Sequence, residues 1–266
     1  MPSLFDCHTH LNQYTESEIE EILDRASAVG VAGVILAGSD VEASKQCVQL
    51  AEQSPRVFAG VGIHPMDVEV GMNDQTVRVL HDMASYSSRV ITVSEVGLDG
   101  MKGAPDIGLQ EKMFRAQIGM ARDLALPVIY HARFAYPRVL DILQEEKAFE
   151  VGGAAPYFQG DLSTAERCID LGFFISLARP LLRMPELQEV AMKLPLECIV
   201  LETDAFPQPF KKYRERWTEP RHILEVVQTL ASLKEIDVEI AIEQIAVNTE
   251  KMLGSRSAGV KALMYS

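Results

Sequence analysis

Five short segments place imidazoles and carboxylates where an apolar run breaks off. They are Asp6-Cys7-His8-Thr9-His10, Gly62-Ile63-His64-Pro65, Ser94-Glu95-Val96-Gly97-Leu98-Asp99, Tyr130-His131-Ala132-Arg133 and Leu201-Glu202-Thr203-Asp204. Histidines two residues apart on an extended chain project to the same side, so His8 and His10 can chelate one divalent cation. His64, alone before a proline, reads equally as a packed turn residue. Glu95 interrupts an apolar run, and an acid there is costly unless paired or metal-bound. That separates it from Glu145 and Glu146, which look like a solvated helix face. His131 follows the run PVIY, and Arg133 fits an anionic substrate group or a local carboxylate. Asp204 stands where a carboxylate can bind metal and take a proton from metal-bound water. Glu202 is better suited to orienting a ligand. Imidazole mixed with carboxylate suits Zn²⁺, Mn²⁺ or a similar ion, with Mg²⁺ at the oxygen-rich part.

These segments need a frame that brings their ends together. Eight apolar, mostly β-branched or Gly-rich runs recur at 4–7, 31–37, 57–63, 90–96, 127–131, 149–154, 173–177 and 198–202. Nearly unbroken apolarity is the mark of strands buried on both faces. Amphipathic helices fit 16–29, 73–86, 107–125, 136–147, 163–171, 186–193, 220–235 and 238–252. The first carries Ile19, Ile22, Leu23 and Ala26 on one face. Thr15 with Glu18, Ser39 with Glu42 and Ser163 with Glu166 have capping-box spacing. Alternation of this kind predicts one parallel sheet, and eight units in about 250 residues favour a closed (β/α)8 TIM barrel over an open doubly wound sheet. In a barrel every strand's C-terminal end faces one mouth, which gathers His8, His10, Glu95, His131 and Asp204. A single unit over 1–254 is expected, with a loosely ordered tail at 255–266.

Composition narrows the class further. Of 266 residues, 47% are hydrophobic, so a large core forms without staples. Lys and Arg number 25 against 38 Asp and Glu, a net charge of −13 that argues against a purely electrostatic nucleic-acid binder. An enzyme that meets phosphates through metal cations is compatible with it. Four cysteines without a CxxC pair read as reduced, mostly buried thiols. No signal peptide is recognisable at the N-terminus and no stretch reaches the roughly 18 apolar residues of a membrane span, so a cytoplasmic protein is expected.

Taken together, DCHTHLN, VGIHP, SEVGLD, Gln110-x-x-x-Phe114-x-x-Gln117 ahead of LPVIYHAR, and LETDA resemble the TatD-type metal-dependent deoxyribonucleases, barrels of the amidohydrolase-like superfamily. The resemblance runs from residue 4 to about 253, where Asn248-Thr249 and Leu253-Gly254 match the closing helix. It implies that His8, His10 and Asp204 bind one metal, that Glu95 bridges two, and that His131 binds the second. His64, with Arg133, would face the substrate phosphate, and Asp204 and Glu95 become the catalytic carboxylates. The implied activity is hydrolysis of phosphodiester bonds in DNA or another nucleic-acid or nucleotide substrate, often from a 3′ end, with Mg²⁺ or Mn²⁺.

One departure matters. Where the family pattern has HCFSG, with a histidine ligand of the second metal, this chain has Pro156-Tyr157-Phe158-Gln159-Gly160. Proline offers no donor, so one tight site and a weakened second are implied. Phe206-Pro207 after LETDA and Trp217-Thr218-Glu219-Pro220 also depart and point to a reshaped mouth. Phe206, Phe210, Tyr213 and Trp217 could stack on a base or simply pack the loop. Two alternatives stay open: a one-metal hydrolase of a small ester or amide, and a non-catalytic relative.

Overall fold

The computed structural model describes all 266 residues. Its strands are β1 Leu4–Thr9, β2 Val31–Ala37, β3 Val57–Val61, β4 Val90–Asp99, β5 Val128–Arg133, β6 Gly153–Ala155, β7 Phe173–Leu177 and β8 Ile199–Leu201. All neighbours pair in parallel, in the order of the chain. The ends of the sheet meet at the mouth. There Thr9 bridges Ala205, the His10 N–H donates to the Ala205 carbonyl at 2.8 Å, and the Asp204 N–H donates to the His8 carbonyl at 3.1 Å. The sheet is thus an almost closed barrel, as the alternation predicts.

Helices α1 Glu16–Ser27, α2 Val41–Gln53, α3 Asp74–Tyr86, α4 Ile107–Asp123, α5 Tyr136–Glu145, α6 Leu162–Asp170, α7 Pro185–Lys193, α8 Ile223–Lys234 and α9 Val238–Leu253 surround it. Their apolar faces and the outward residues of the strands form one large core. A second cluster takes Phe5, Cys7, Ile35, Phe58, Ile91, Ile129, Ala154, Phe174 and Val200 from the eight strands, together with Met252 and Leu253. No helix is long and apolar enough to cross a membrane. The four cysteines are free, and all but Cys198 are buried.

Several local expectations are corrected. The tail is ordered: α10 Ala258–Met264 buries Val260 and Met264 in the second cluster, and the Ser3 N–H donates to the Met264 carbonyl at 2.7 Å. The sixth strand starts at Gly153 rather than at 149. Residues Ala148–Glu150 form a 3₁₀ turn with Phe149 half exposed, and Gly153, at φ +140°, lies too close to the Val128 carbonyl for any side chain. Thr15 and Glu18 do form a capping box. At α2 and α6, however, Asp40 and Asp161 cap in place of Ser39 and Ser163, because their carboxylates reach the Ala43 and Thr164 N–H groups at 2.7 and 2.8 Å.

Candidate metal centre

Glu95, deep in β4, faces three imidazoles at once. Its carboxylate lies 3.4 Å from His8 Nε2, 3.5 Å from His10 Nε2 and 3.0 Å from His131 Nδ1. Burial alone would raise the Glu95 carboxyl, but the histidines outweigh it and hold that group well below the usual carboxylate range. Asp204 completes the other side, with Oδ1 3.4 Å from His10 Nε2. Its φ of +52°, a costly conformation for a side-chain-bearing residue, turns the chain at the β1–β8 seam. Beneath it Asp6 fastens that seam, accepting the Thr203 N–H at 3.0 Å and the Thr203 hydroxyl at 2.5 Å. Burial pushes Asp6 up to about 7.

A chain of contacts fixes the other two histidines. The Met66 N–H donates to His64 Nδ1 at 3.1 Å. Burial pushes His64 down to about 4, so the ring is neutral and its proton sits on Nε2. That nitrogen is 3.2 Å from His131 Nδ1, while His131 Nε2 is 2.8 Å from Asp99 Oδ2. Arg133 donates to the same carboxylate from Nε at 2.7 Å and from its terminal nitrogen at 2.6 Å. His131 Nε2–H donates to Asp99 while Nδ1 faces the mouth beside Glu95, the carboxylate-behind-imidazole arrangement of a ligating histidine. Burial would lower the ring, but Glu95 and Asp99 outweigh it and raise it above the ordinary imidazole value.

The α4 glutamines explain their spacing. Seven residues apart, Gln110 and Gln117 lie on one helical face. Gln117 Oε1 accepts the Ile63 N–H at 2.6 Å and Gln110 Oε1 accepts the Asp99 N–H at 2.8 Å, with fully buried Phe114 between them. One helix thus sets the chain beside His64 and Asp99. Asp99 is a site residue that motif spacing does not single out, although an acid ending an apolar strand is the available signal.

Ligand atoms of His8, His10 and Asp204 lie within 4.8 Å of one another, as do those of His64, Glu95 and His131. In the second group His64 presents N–H rather than a lone pair, which leaves Glu95 and His131 as donors. His8 Nδ1 is buried without a hydrogen-bond partner. Imidazole and carboxylate donors converging in this way fit a divalent cation.

All five expected ligands line a cavity of about 820 Å³, together with His64, Arg133 and Pro156. Glu202 does not orient a ligand as expected. It is buried, accepts the Tyr157 N–H at 2.7 Å and pairs with the Ser176 hydroxyl, and burial raises its carboxyl well above the usual range. Of the four loop aromatics, Phe206 faces this cavity and Phe210 faces its neighbour, whereas Trp217 packs against Arg214 and Tyr14. Tyr213 lines neither; Arg216 and Lys212 approach its ring.

Comparison with known proteins agrees with this architecture. The family model described as TatD related DNase matches residues 5–254. The uncharacterised metal-dependent hydrolase YabD of Bacillus subtilis is 31% identical over 93% of this chain and 96% of its own length. The protein named 3′-5′ ssDNA/RNA exonuclease TatD from Klebsiella pneumoniae is 28% identical over 97% of this chain and its full length. The crystal structure of the TatD homologue YjjV from Escherichia coli superposes with a TM-score of 0.85 at 26% identity, covering 94% of this chain and 97% of that one. With the barrel, the clustered histidines and carboxylates, and a match over nearly the whole sequence, the chain belongs to the TatD related DNase family of metal-dependent hydrolases.

Proposed function

We propose that this protein hydrolyses phosphodiester bonds of nucleic acids, with DNA strand ends as first candidates. The observation that carries the reading is the convergence of His8, His10, Glu95, His131 and Asp204 on one open cavity. The exonuclease named for the Klebsiella relative supports the substrate class and a 3′ starting point. His8, His10 and Asp204 would hold one cation, Glu95 faces both donor groups, and His131 would serve a second. A bound Mg²⁺, Mn²⁺ or Zn²⁺ supplies Lewis acidity and a lowered pKa for water. Asp204 accepts the proton of the attacking water. The His64 Nε2–H and the Arg133 guanidinium donate to phosphate oxygens.

Purified protein given Mn²⁺ or Mg²⁺ is expected to shorten single-stranded DNA or RNA. Asp204→Asn is expected to lose activity by about 10²-fold or more while keeping more of its metal, since an amide ligates weakly but accepts no proton. Intact single-stranded DNA, RNA and nucleotide diesters would overturn the proposal. Pro156 at the cavity wall favours a second reading, a one-metal hydrolase of a small ester or amide. Turnover of such substrates with diesters untouched would select it.

A further inference from the structure

A second cavity of about 260 Å³ opens beside the mouth and shares Tyr157, Asp204 and Phe206 with it. Arg179, Arg183 and Lys211 converge on its walls, in a protein of net charge −13. Arg179 is only loosely paired, 3.5 Å from Glu225 and 3.5 Å from the Thr218 hydroxyl. Lys211 contacts neutral oxygens, Gln208 Oε1 at 2.6 Å and the Arg216 carbonyl at 3.1 Å. Arg183 is exposed. Burial, then the proximity of Arg179 and Arg183, pushes the Lys211 ammonium below its usual range. Asp204, on the shared wall, is the one acid among the lining residues. Cations gathered with few counter-charges favour an anion, and guanidinium groups match phosphate oxygens in particular. Phe210, 73% exposed, adds an aromatic face of the sort on which a base stacks.

We infer that this cavity is a second phosphate subsite, which holds the phosphate next to the scissile one on a nucleic-acid strand. The inference rests on the phosphodiesterase reading for the position of the scissile bond, and it makes oligonucleotides rather than isolated diesters the preferred substrates.

The test is calorimetric binding of thymidine dinucleotides with a hydrolysis-resistant phosphorothioate link. Three probes are compared: one without a terminal phosphate, one with a 5′-phosphate and one with a 3′-phosphate. One terminal phosphate is expected to tighten binding about tenfold, the scale of a charge-assisted contact. Arg183→Glu should cut that gain to less than about twofold, and Arg183→Lys should restore part of it. For a single-stranded oligonucleotide, losing one phosphate contact should also flatten the slope of log affinity against log salt by about 0.7. Equal binding of all three probes, or a gain that survives Arg183→Glu, would overturn the subsite. If no diester is cleaved yet the gain appears and Arg183→Glu removes it, the subsite stands and the catalytic reading falls.

Discussion

His131 Nε2 lies 2.8 Å from Oδ2 of Asp99, and this contact decides which nitrogen of His131 looks into the barrel mouth. Asp99 is itself almost fully buried, is held by the Arg133 side chain and has its backbone fixed by Gln110. Replacing it with asparagine keeps the shape and removes the charge. Asp99→Asn is expected to weaken metal binding at the Glu95–His131 side or activity by about 10- to 100-fold, the usual effect of removing a carboxylate behind a ligating histidine. Metal titration of the variant checks this, and unchanged affinity and turnover would show that packing alone orients the ring.

His8 and His10 sit at the mouth end of β1, above the cluster that contains Phe5 and Cys7. His8→Ala with His10→Ala is expected to abolish metal binding and activity while the barrel keeps one cooperative thermal transition. Elemental analysis and a melt of the same sample separate the two effects. A lost transition would make the pair structural.

Pro156 borders the cavity without a donor atom. Unmodified protein is expected to hold one ion tightly and to gain a second only at higher metal or with a phosphate-bearing ligand. Pro156→His should tighten the second ion by at least about tenfold, since a third donor joins Glu95 and His131. Calorimetric titration reads both. Two equally tight ions in the unmodified chain would mean that another group supplies the missing ligand.

Burial pushes the Cys168 thiol up to about 11 and the Cys47 thiol up to about 12. A raised thiol value favours the folded state below the ordinary thiol range and loses that contribution as pH climbs toward the folded value. Iodoacetamide at pH 8 is therefore expected to modify Cys198 first, and intact mass should show at most one adduct until the chain unfolds. Thermal stability should fall between about pH 9 and pH 11, and less steeply in Cys47→Ala. Rapid labelling of all four thiols in folded protein would contradict the burial.

The candidate ligand residues are legible because each breaks an apolar strand, where burying a charged or imidazole group is costly unless it is paired or metal-bound. Glu95 within VITVSEVG and His131 after PVIY are the clearest cases. Partners that matter through space were harder to read. Nothing local tells that Glu202 reaches across to the Tyr157 N–H, whereas the local carboxylate expected as one partner of Arg133 is Asp99. The start of the sixth strand is not legible in hydropathy because Phe149 is apolar yet half exposed in a turn, and hydropathy does not register the Gly152-Gly153 backbone that lets β6 approach β5. The order of the tail is not legible because α10 buries few residues, among them Val260 and Met264, too short a pattern for periodicity to register.

The segment that carries Pro156 is secured by its main chain. The Tyr157 N–H goes to Glu202 and the Phe158 N–H to the Ser176 carbonyl at 3.1 Å, while the buried Phe158 ring anchors it against Tyr136. Those anchors ask nothing of the side chains at 156, 157 and 159, all of which line the cavity. Side chains at 156 and 159 can therefore change without touching these anchors, whereas Tyr157, at φ +47°, stands in a left-handed backbone that restricts its replacements. The cavity lining on this stretch is thereby separated from the contacts that hold it to the barrel.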